Sequence, residues 1–495
     1  MGSYGRQARR GFLLGVAGRG AMEAISIPTA VILARLLSPH DFGVAAAAGF
    51  FVMLAQRVTN FGFNVGLVRL TPLTEAHSAT VFFVTVALGG VAWAVLGASA
   101  AVLASFVRSP DAGAVIPAAA LAFLIGALGS VPQALLTRQL RFKEILVIET
   151  IAVWVGSATA IGLAWWGARY WSLVYSQIVT AAVSTTLKFV WSGWWPRGRF
   201  SWEALKELSS FAFGVHVKRL LEAGAANLDN LMIARLLGVM QLGLYDKAFS
   251  TMSRASSLVS ALGPSVSFSV LAKFQNDPDR FRLAHQKITL ATALLSFPLF
   301  AVLACVAEPL FWLMFGSQWL AAVGAFRILC IVGMLKLAMT YLGSAAEAQG
   351  RVWGMAGAQV AYVVLIVTGV AVGSAWGLTG AAGGVLAATL VVTGLTCEVA
   401  RRSAGFRWSE VLSPYVPGIV CAGVLVVVVW AASGVVGQVT DSAEAAIMLA
   451  LQAGSGLLGY AAFLALVPIR SVRGLVRETM RDLAFDPRGR VRPSW

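Results

Sequence analysis

The chain has 495 residues, of which 58% are apolar and only 12% charged, and its mean hydropathy is +0.78. Soluble domains carry roughly 25% charged residues, so there are too few charges here to cover a water-facing surface, and lipid must solvate most of the chain. The net charge of +16 comes from bases set between apolar runs, a pattern of membrane topology rather than of nucleic-acid binding.

A spanning helix needs about 20 apolar residues. Fourteen intervals meet that need: 11–37, 42–64, 79–106, 113–137, 145–167, 170–191, 209–237, 239–269, 287–315, 319–346, 350–374, 377–400, 411–434 and 445–468. The first opens with Arg6, Arg9 and Arg10 but is too long for a cleaved signal peptide, holds Arg19 and Glu23, and leads into another span. With the N-terminus in the cytoplasm, 26 Lys and Arg residues in the connections and at span ends, Lys188 among them, fall on the cytoplasmic side. Only four, Arg35, Arg108, Arg169 and Arg235, fall on the other. That split obeys the positive-inside rule and places both ends in the cytoplasm. Trp165, Trp166, Trp171, Trp376 and Trp408 mark span ends, where an amphipathic ring suits the headgroup layer. The basic segment from Arg470 to Trp495 reads as a solvated tail drawn to anionic lipid.

A repeat joins two of the turns. Ala34-Arg35-Leu36-Leu37, followed by Phe42-Gly43-Val44, recurs 200 residues later as Ala234-Arg235-Leu236-Leu237, followed by Leu242-Gly243-Leu244. The first copy lies between spans one and two, the second between spans seven and eight. A weaker echo links Arg138-Gln139-Leu140-Arg141 to Gly350-Arg351. Six spans separate the members of each pair, and an even number preserves orientation, so the halves are expected to be parallel repeats. The expected fold is an all-α polytopic membrane protein. Two six-helix lobes, 1–200 and 201–405, precede two further helices in 406–468 and a cytoplasmic tail in 469–495. Pro39 and Gly43, like Gly238 and Gly243, are expected to break the helices for tight turns. The arginine before each turn is expected to cap carbonyls.

Charges deep in a membrane are costly and normally face a protein interior or a water-filled cavity. Six of the eight intramembrane bases, Arg19, Arg57, Lys218, Arg219, Lys247 and Arg254, belong to spans one, two, seven and eight. Facing a cleft, they would form a cationic cavity for an anionic, phosphate-bearing substrate, since the planar guanidinium fork suits phosphate. Glu23, Glu222 and Asp229 lie in the same spans and are candidates for ion coupling or for charge pairing. Arg19 with Glu23, and Lys218 with Glu222, stand four residues apart on one helix face.

Other chemistry is missing from the sequence. There is no phosphate-binding G-x-x-x-x-G-K-[ST], no H-E-x-x-H and no G-x-S-x-G. Cys305, Cys330, Cys397 and Cys421 lie far apart in apolar runs, without metal or disulfide spacing. No outside loop is large enough to build a polymerase or ligase site. No enzyme activity, metal or cofactor is expected, and transport without an intrinsic ATPase is the economical reading.

Four segments carry a family resemblance: ILARLLSPHDFGVAAAAGFFVMLAQRVTNFGF at 32–63, LLTRQLRFKEI at 135–145, the stretch from Asn230 to Asp277, and MFGSQWLAA at 314–322. Over most of residues 10–400 the chain resembles the Wzx/WzxC-type polysaccharide exporters of the multidrug/oligosaccharidyl-lipid/polysaccharide (MOP) superfamily. The resemblance implies two lobes around a V-shaped cavity that opens alternately to the two membrane faces. It implies a bacterial cytoplasmic-membrane flippase for an oligosaccharide carried on undecaprenyl pyrophosphate, with a polysaccharide polymerase and co-polymerase as partners. The pyrophosphate would meet the bases of spans one, two, seven and eight. A drug/cation antiporter and a lipid II flippase of the same superfamily are the rival readings, and a net-positive cavity disfavours cationic drugs.

Overall fold

The computed structural model describes residues 20, 22–59, 62–208, 227–260, 267, 271–274, 276–349, 352–433 and 442–466. Among these residues there is no strand. The helices are α1 (22–36), α2 (Pro39–Thr59), α3 (Phe63–Arg69), α4 (Glu75–Phe106), α5 (Pro110–Leu128), α6 (Ser130–Arg138), α7 (Phe142–Trp165), α8 (Tyr170–Ser192), α9 (202–208), α10 (Leu228–Leu237) and α11 (Val239–Ser260). They continue with α12 (Pro278–Cys305), α13 (Ala307–Phe315), α14 (Val323–Ala348), α15 (Val352–Gly373), α16 (Gly377–Ala404), α17 (Trp408–Leu412), α18 (Val416–Ser433) and α19 (Ser442–Leu466). Ten stretches of the described residues are long and apolar enough to cross a membrane. One of them, Gly354–Ser403, contains both α15 and α16, parted by a single 3-10 turn at Ser374–Trp376. A described helix stands in each of the fourteen expected intervals, the first and seventh being represented by α1 and α10. The chain is an all-α polytopic membrane protein.

Local chemistry sets the helix ends. Ser38 Oγ accepts the Asp41 N–H at 3.2 Å, while Asp41 Oδ2 accepts the Ser38 N–H at 3.0 Å, and Pro39 opens α2 where no amide donor is needed. Thr74 and His77 cap α4 reciprocally, and Asp277 caps α12 ahead of Pro278. The left-handed Gly193, with φ 65°, closes α8.

Two compact units result. The first comprises the described residues up to Phe249 with Met314–Ala325 and Gln359–Ala388, and the second comprises Ser250–Leu313, Phe326–Ala358 and the described residues from Thr389. In the first, a cluster of Phe63, Leu67, Val81, Val131, Ala134 and Leu208 packs α3, α4, α6 and α9 together. Arg138 ties that cluster down, its Nη1 donating to the carbonyls of Leu67, Val68 and Leu70 at 2.9, 3.1 and 2.6 Å. These are the orphan acceptors at the C-terminal end of α3. In the second unit, Leu290 and Leu294 of α12 pack on Cys421 and Leu425 of α18 and Phe463 of α19.

Two of the four expected helix-breaking residues act differently. Pro39 starts a helix, and Gly238, with φ 87°, separates α10 from α11. Gly43 and Gly243 instead lie inside α2 and α11, where they let the two backbones touch. A Cβ on Gly43 would collide with the Val239 carbonyl, and a Cβ on Gly243 would collide with the Pro39 carbonyl. The two contacts exchange under the 200-residue shift, as a two-fold relation between the repeated turns requires. The arginines cap carbonyls as expected: Arg35 Nε donates to Met314 O at 3.4 Å and Arg235 Nη1 to Phe106 O at 3.1 Å.

Candidate functional site

Small residues on α2, α5 and α8 leave room between these helices of the first unit. Two polar cavities occupy it. One, of about 380 Å³, is lined by Phe42, Gly49, Phe50, Met53, Ser176, Gln177, Asn227, Asn230 and Asp246 among others. The other, of about 570 Å³, is lined by Gln56, Thr59, Asn64, Ser130, Gln133, Glu149, Ser176, Gln177, Thr180, Ser184 and Lys188, with Ala119, Ala122, Gly126 and Ala181 supplying the space. Ser176 and Gln177 belong to both linings.

A break in the fourth expected span shapes the larger cavity. The Gly129 N–H bonds to Gly126 O, so α5 ends and α6 begins. The Ile125 carbonyl, which a continuous helix would bond to that N–H, accepts Thr185 Oγ1–H at 3.0 Å from α8 instead. Ser130 and Gln133, in the helix that follows the break, line the cavity.

The charges in the larger cavity balance. Lys188 Nζ stands 2.7 Å from Glu149 Oε1, which also accepts from Ser184 Oγ at 3.3 Å. Near the smaller cavity, Asp229 is 2% exposed and accepts from Tyr245 Oη at 2.7 Å and from the Asn230 N–H at 3.0 Å. Lys247 is 5% exposed, and its ammonium lies 3.8 Å from the ring centre of Phe42 and 5.0 Å from those of Phe315 and Trp319. Trp319 is fixed by its own Nε1 bond to Ala34 O at 2.8 Å.

Of the candidate residues read from the sequence, Arg19, Lys218, Arg219 and Glu222 lie outside the described residues. Arg57 is exposed in the last turn of α2, and Glu23 is half-buried on α1. Arg254 is half-buried and belongs to the second unit. Arg57, Lys247 and Arg254 line neither cavity, whereas Asp246, the neighbour of Lys247, lines the smaller one. Sequence reasoning missed the neutral lining. Its signal in the larger cavity was four uncharged amides, Gln56, Asn64, Gln133 and Gln177, in otherwise apolar stretches. It also placed Lys188 in a cytoplasmic segment and so did not pair it with Glu149.

Comparison with known proteins bears on this fold and site. The family described as "Polysaccharide biosynthesis protein" matches residues 32–324, from α1 to the beginning of α14. This chain belongs to that family. It is 25% identical over 327 residues to the lipopolysaccharide biosynthesis protein WzxC of Escherichia coli (strain K12), covering 65% of this chain and 66% of that protein. It is 27% identical over 333 residues to the succinoglycan biosynthesis transport protein ExoT of Rhizobium meliloti (strain 1021), covering 67% and 66%. The chain thus spans about two thirds of the length of these curated relatives. Its fold is similar to that of the lipid II flippase MurJ in an inward closed conformation. The TM-score is 0.68 at 13% identity, with 95% of this chain and 99% of that one covered. The resemblance read from the four sequence segments therefore holds at the level of family and of fold.

Proposed function

We propose that this chain is a flippase for a lipid-linked oligosaccharide of the undecaprenyl-pyrophosphate type. It would move the glycan from the cytoplasmic to the outer leaflet of a bacterial cytoplasmic membrane, for exopolysaccharide, capsule or O-antigen export. The observation that carries this reading is the match of residues 32–324 to a polysaccharide biosynthesis family, in a chain whose described residues include ten stretches long and apolar enough to cross a membrane. Relatives named for lipopolysaccharide biosynthesis and succinoglycan transport support it. The polar cavities between apolar helices supply a water-like route for a sugar head while the lipid tail stays in the bilayer.

In this reading two six-helix lobes alternate access, and both termini are cytoplasmic. Arg19, Arg57, Lys218, Arg219, Lys247 and Arg254 supply the positive field that meets the pyrophosphate, and Glu23, Glu222 and Asp229 balance charge or carry a coupling ion. The partners are a polymerase and co-polymerase acting on the translocated unit. The test is a lipid extraction from a deletion strain. Undecaprenyl-pyrophosphate-linked repeat units are expected to accumulate while surface polysaccharide falls. Unchanged levels of both, or accumulation of lipid II alone, would refute the assignment.

A further inference from the structure

The segment 193–208, which follows α8 and ends with α9, is tied to the first two turns of α4. Trp194 Nε1 donates to Glu75 Oε1 at 3.0 Å, and the Ser201 N–H donates to Thr80 Oγ1 at 2.9 Å. His77 Nε2 stands 2.9 Å from Glu207 Oε2. The Gly198 backbone lies on the helix itself, since a Cβ there would come within 2.8 Å of the Ala79 Cβ and 3.0 Å of the Glu75 carbonyl oxygen. Ala204 and Leu208 are buried, Leu208 in the cluster with Phe63, Leu67 and Val81. The protein thus accounts for one side of this strap.

Its other side is open. Trp195 is 56% and Trp202 75% exposed, and Phe200 is exposed beside Trp202, with the two rings 5.2 Å apart at 89°. Arg197 and Arg199 alternate with these rings, are exposed, and form no ion pair among the described residues. From Trp194 to Trp202 there is no acidic residue, and Glu75 and Glu207 are engaged by Trp194 and His77. The surface therefore offers apolar rings interleaved with two positive charges. Its place is set by Trp195, which stacks on Phe189 in the last turn of α8 with ring centres 5.2 Å apart, next to the exposed Val190. As α8 is long and apolar enough to cross a membrane, the aromatic surface begins where a spanning helix leaves the bilayer.

A soluble anion would satisfy the arginines and leave the rings in water. A bilayer surface satisfies both, because indole rings suit the headgroup layer and guanidinium forks pair with phosphate oxygens. Headgroups already stand beside the end of α8, whereas a protein partner would have to displace them. We propose that residues 194–202 form a binding surface for anionic phospholipid. Arg197 and Arg199 meet the headgroup phosphate, and Trp195, Phe200 and Trp202 enter the headgroup layer. The surface lies outside both cavities and does not depend on the transported substrate. Because the strap is tied to α4, lipid bound there fixes the depth of the first unit in the bilayer.

The test uses the full-length protein in phosphatidylcholine nanodiscs with rising fractions of phosphatidylglycerol, a trace of it photoreactive. Crosslinked peptides are mapped by mass spectrometry. Label on the peptide spanning 193–208 is expected to be diluted by unlabelled phosphatidylglycerol, and not by phosphatidylcholine or by millimolar inorganic phosphate. Each arginine near an anionic surface is worth about fivefold in binding. The double variant Arg197→Gln/Arg199→Gln should therefore need at least about tenfold more phosphatidylglycerol for half-labelling, with labelling of other peptides unchanged. Arg197→Lys/Arg199→Lys, which keeps the charge, should retain most of the binding, and Trp195→Ala/Trp202→Ala should weaken it. Equal labelling of parent and glutamine variant would overturn the surface, as would displacement by inorganic phosphate. An acidic protein that copurifies with the parent and not with the glutamine variant, while both label equally, would make it a protein-docking surface and also overturn the proposal. If the glutamine variant does not fold, the parent's preference for phosphatidylglycerol over phosphatidylcholine at 193–208 still decides, and no preference refutes it.

Discussion

The crossing of α2 and α11 offers a sharp test of the packing. Gly43→Ala would place a methyl group 2.6 Å from the Val239 carbonyl carbon and 3.1 Å from the Gly243 nitrogen. These are backbone atoms that no rotamer change can clear, so the helices must separate by about an ångström. Overpacking of this kind costs about 1–3 kcal/mol. With about 2–4 °C per kcal/mol in a unit of 150–250 residues, a cost near 2 kcal/mol lowers the unfolding midpoint by about 4–8 °C. Gly243→Ala should behave alike, because its methyl would meet the Pro39 backbone. Gly49→Ala, on the same helix as Gly43, is the control: nothing lies within 4 Å of its Cβ. Alanine there should be neutral or stabilising by up to about 1 kcal/mol through helix propensity. The assay is thermal unfolding of the purified protein in detergent, read by circular dichroism. Equal midpoints for Gly43→Ala and Gly49→Ala would refute the close crossing.

Tyr245→Phe strips the buried Asp229 of its 2.7 Å donor, and should lower stability by about 1–3 kcal/mol in the same unfolding assay. Glu149→Gln and Lys188→Met should each destabilise, and the double variant should lose less than their sum. With Glu149 34% exposed, a coupling of about 1 kcal/mol or less is expected from a double-mutant cycle. Replacing Arg57, Arg219 and Arg254 together by glutamine should abolish surface polysaccharide while protein levels stay unchanged, as read by glycan staining and immunoblot; normal export would remove these bases from the proposed substrate route.

The membrane character, the helix intervals and the paired turns were legible because they rest on local signals. Twenty apolar residues, a proline at N1 and an A-R-L-L repeat need no tertiary context. The role of Gly43 was not legible. A glycine near a turn reads as a breaker, and only the approach of Val239, nearly 200 residues away, shows it to be a contact. Lys247 illustrates the same limit. In sequence it is an intramembrane base, and in the fold it lies over Phe42, Phe315 and Trp319, two of which come from a segment about 70 residues on. Gln133 and Asn64 were passed over because they carry no formal charge and stand singly in runs that are otherwise apolar. Their unpaired oxygens become apparent only when the surrounding helices are in place.

Translocation by the protein alone tests the central claim most directly. Reconstituted into vesicles with its host's undecaprenyl-pyrophosphate-linked oligosaccharide in the inner leaflet, the protein should bring that lipid within reach of an external glycan-modifying enzyme. Protein-free vesicles should show no such exposure, and the neutralised triple-arginine variant should fall to their level. Equal exposure with and without the protein would contradict the flippase reading.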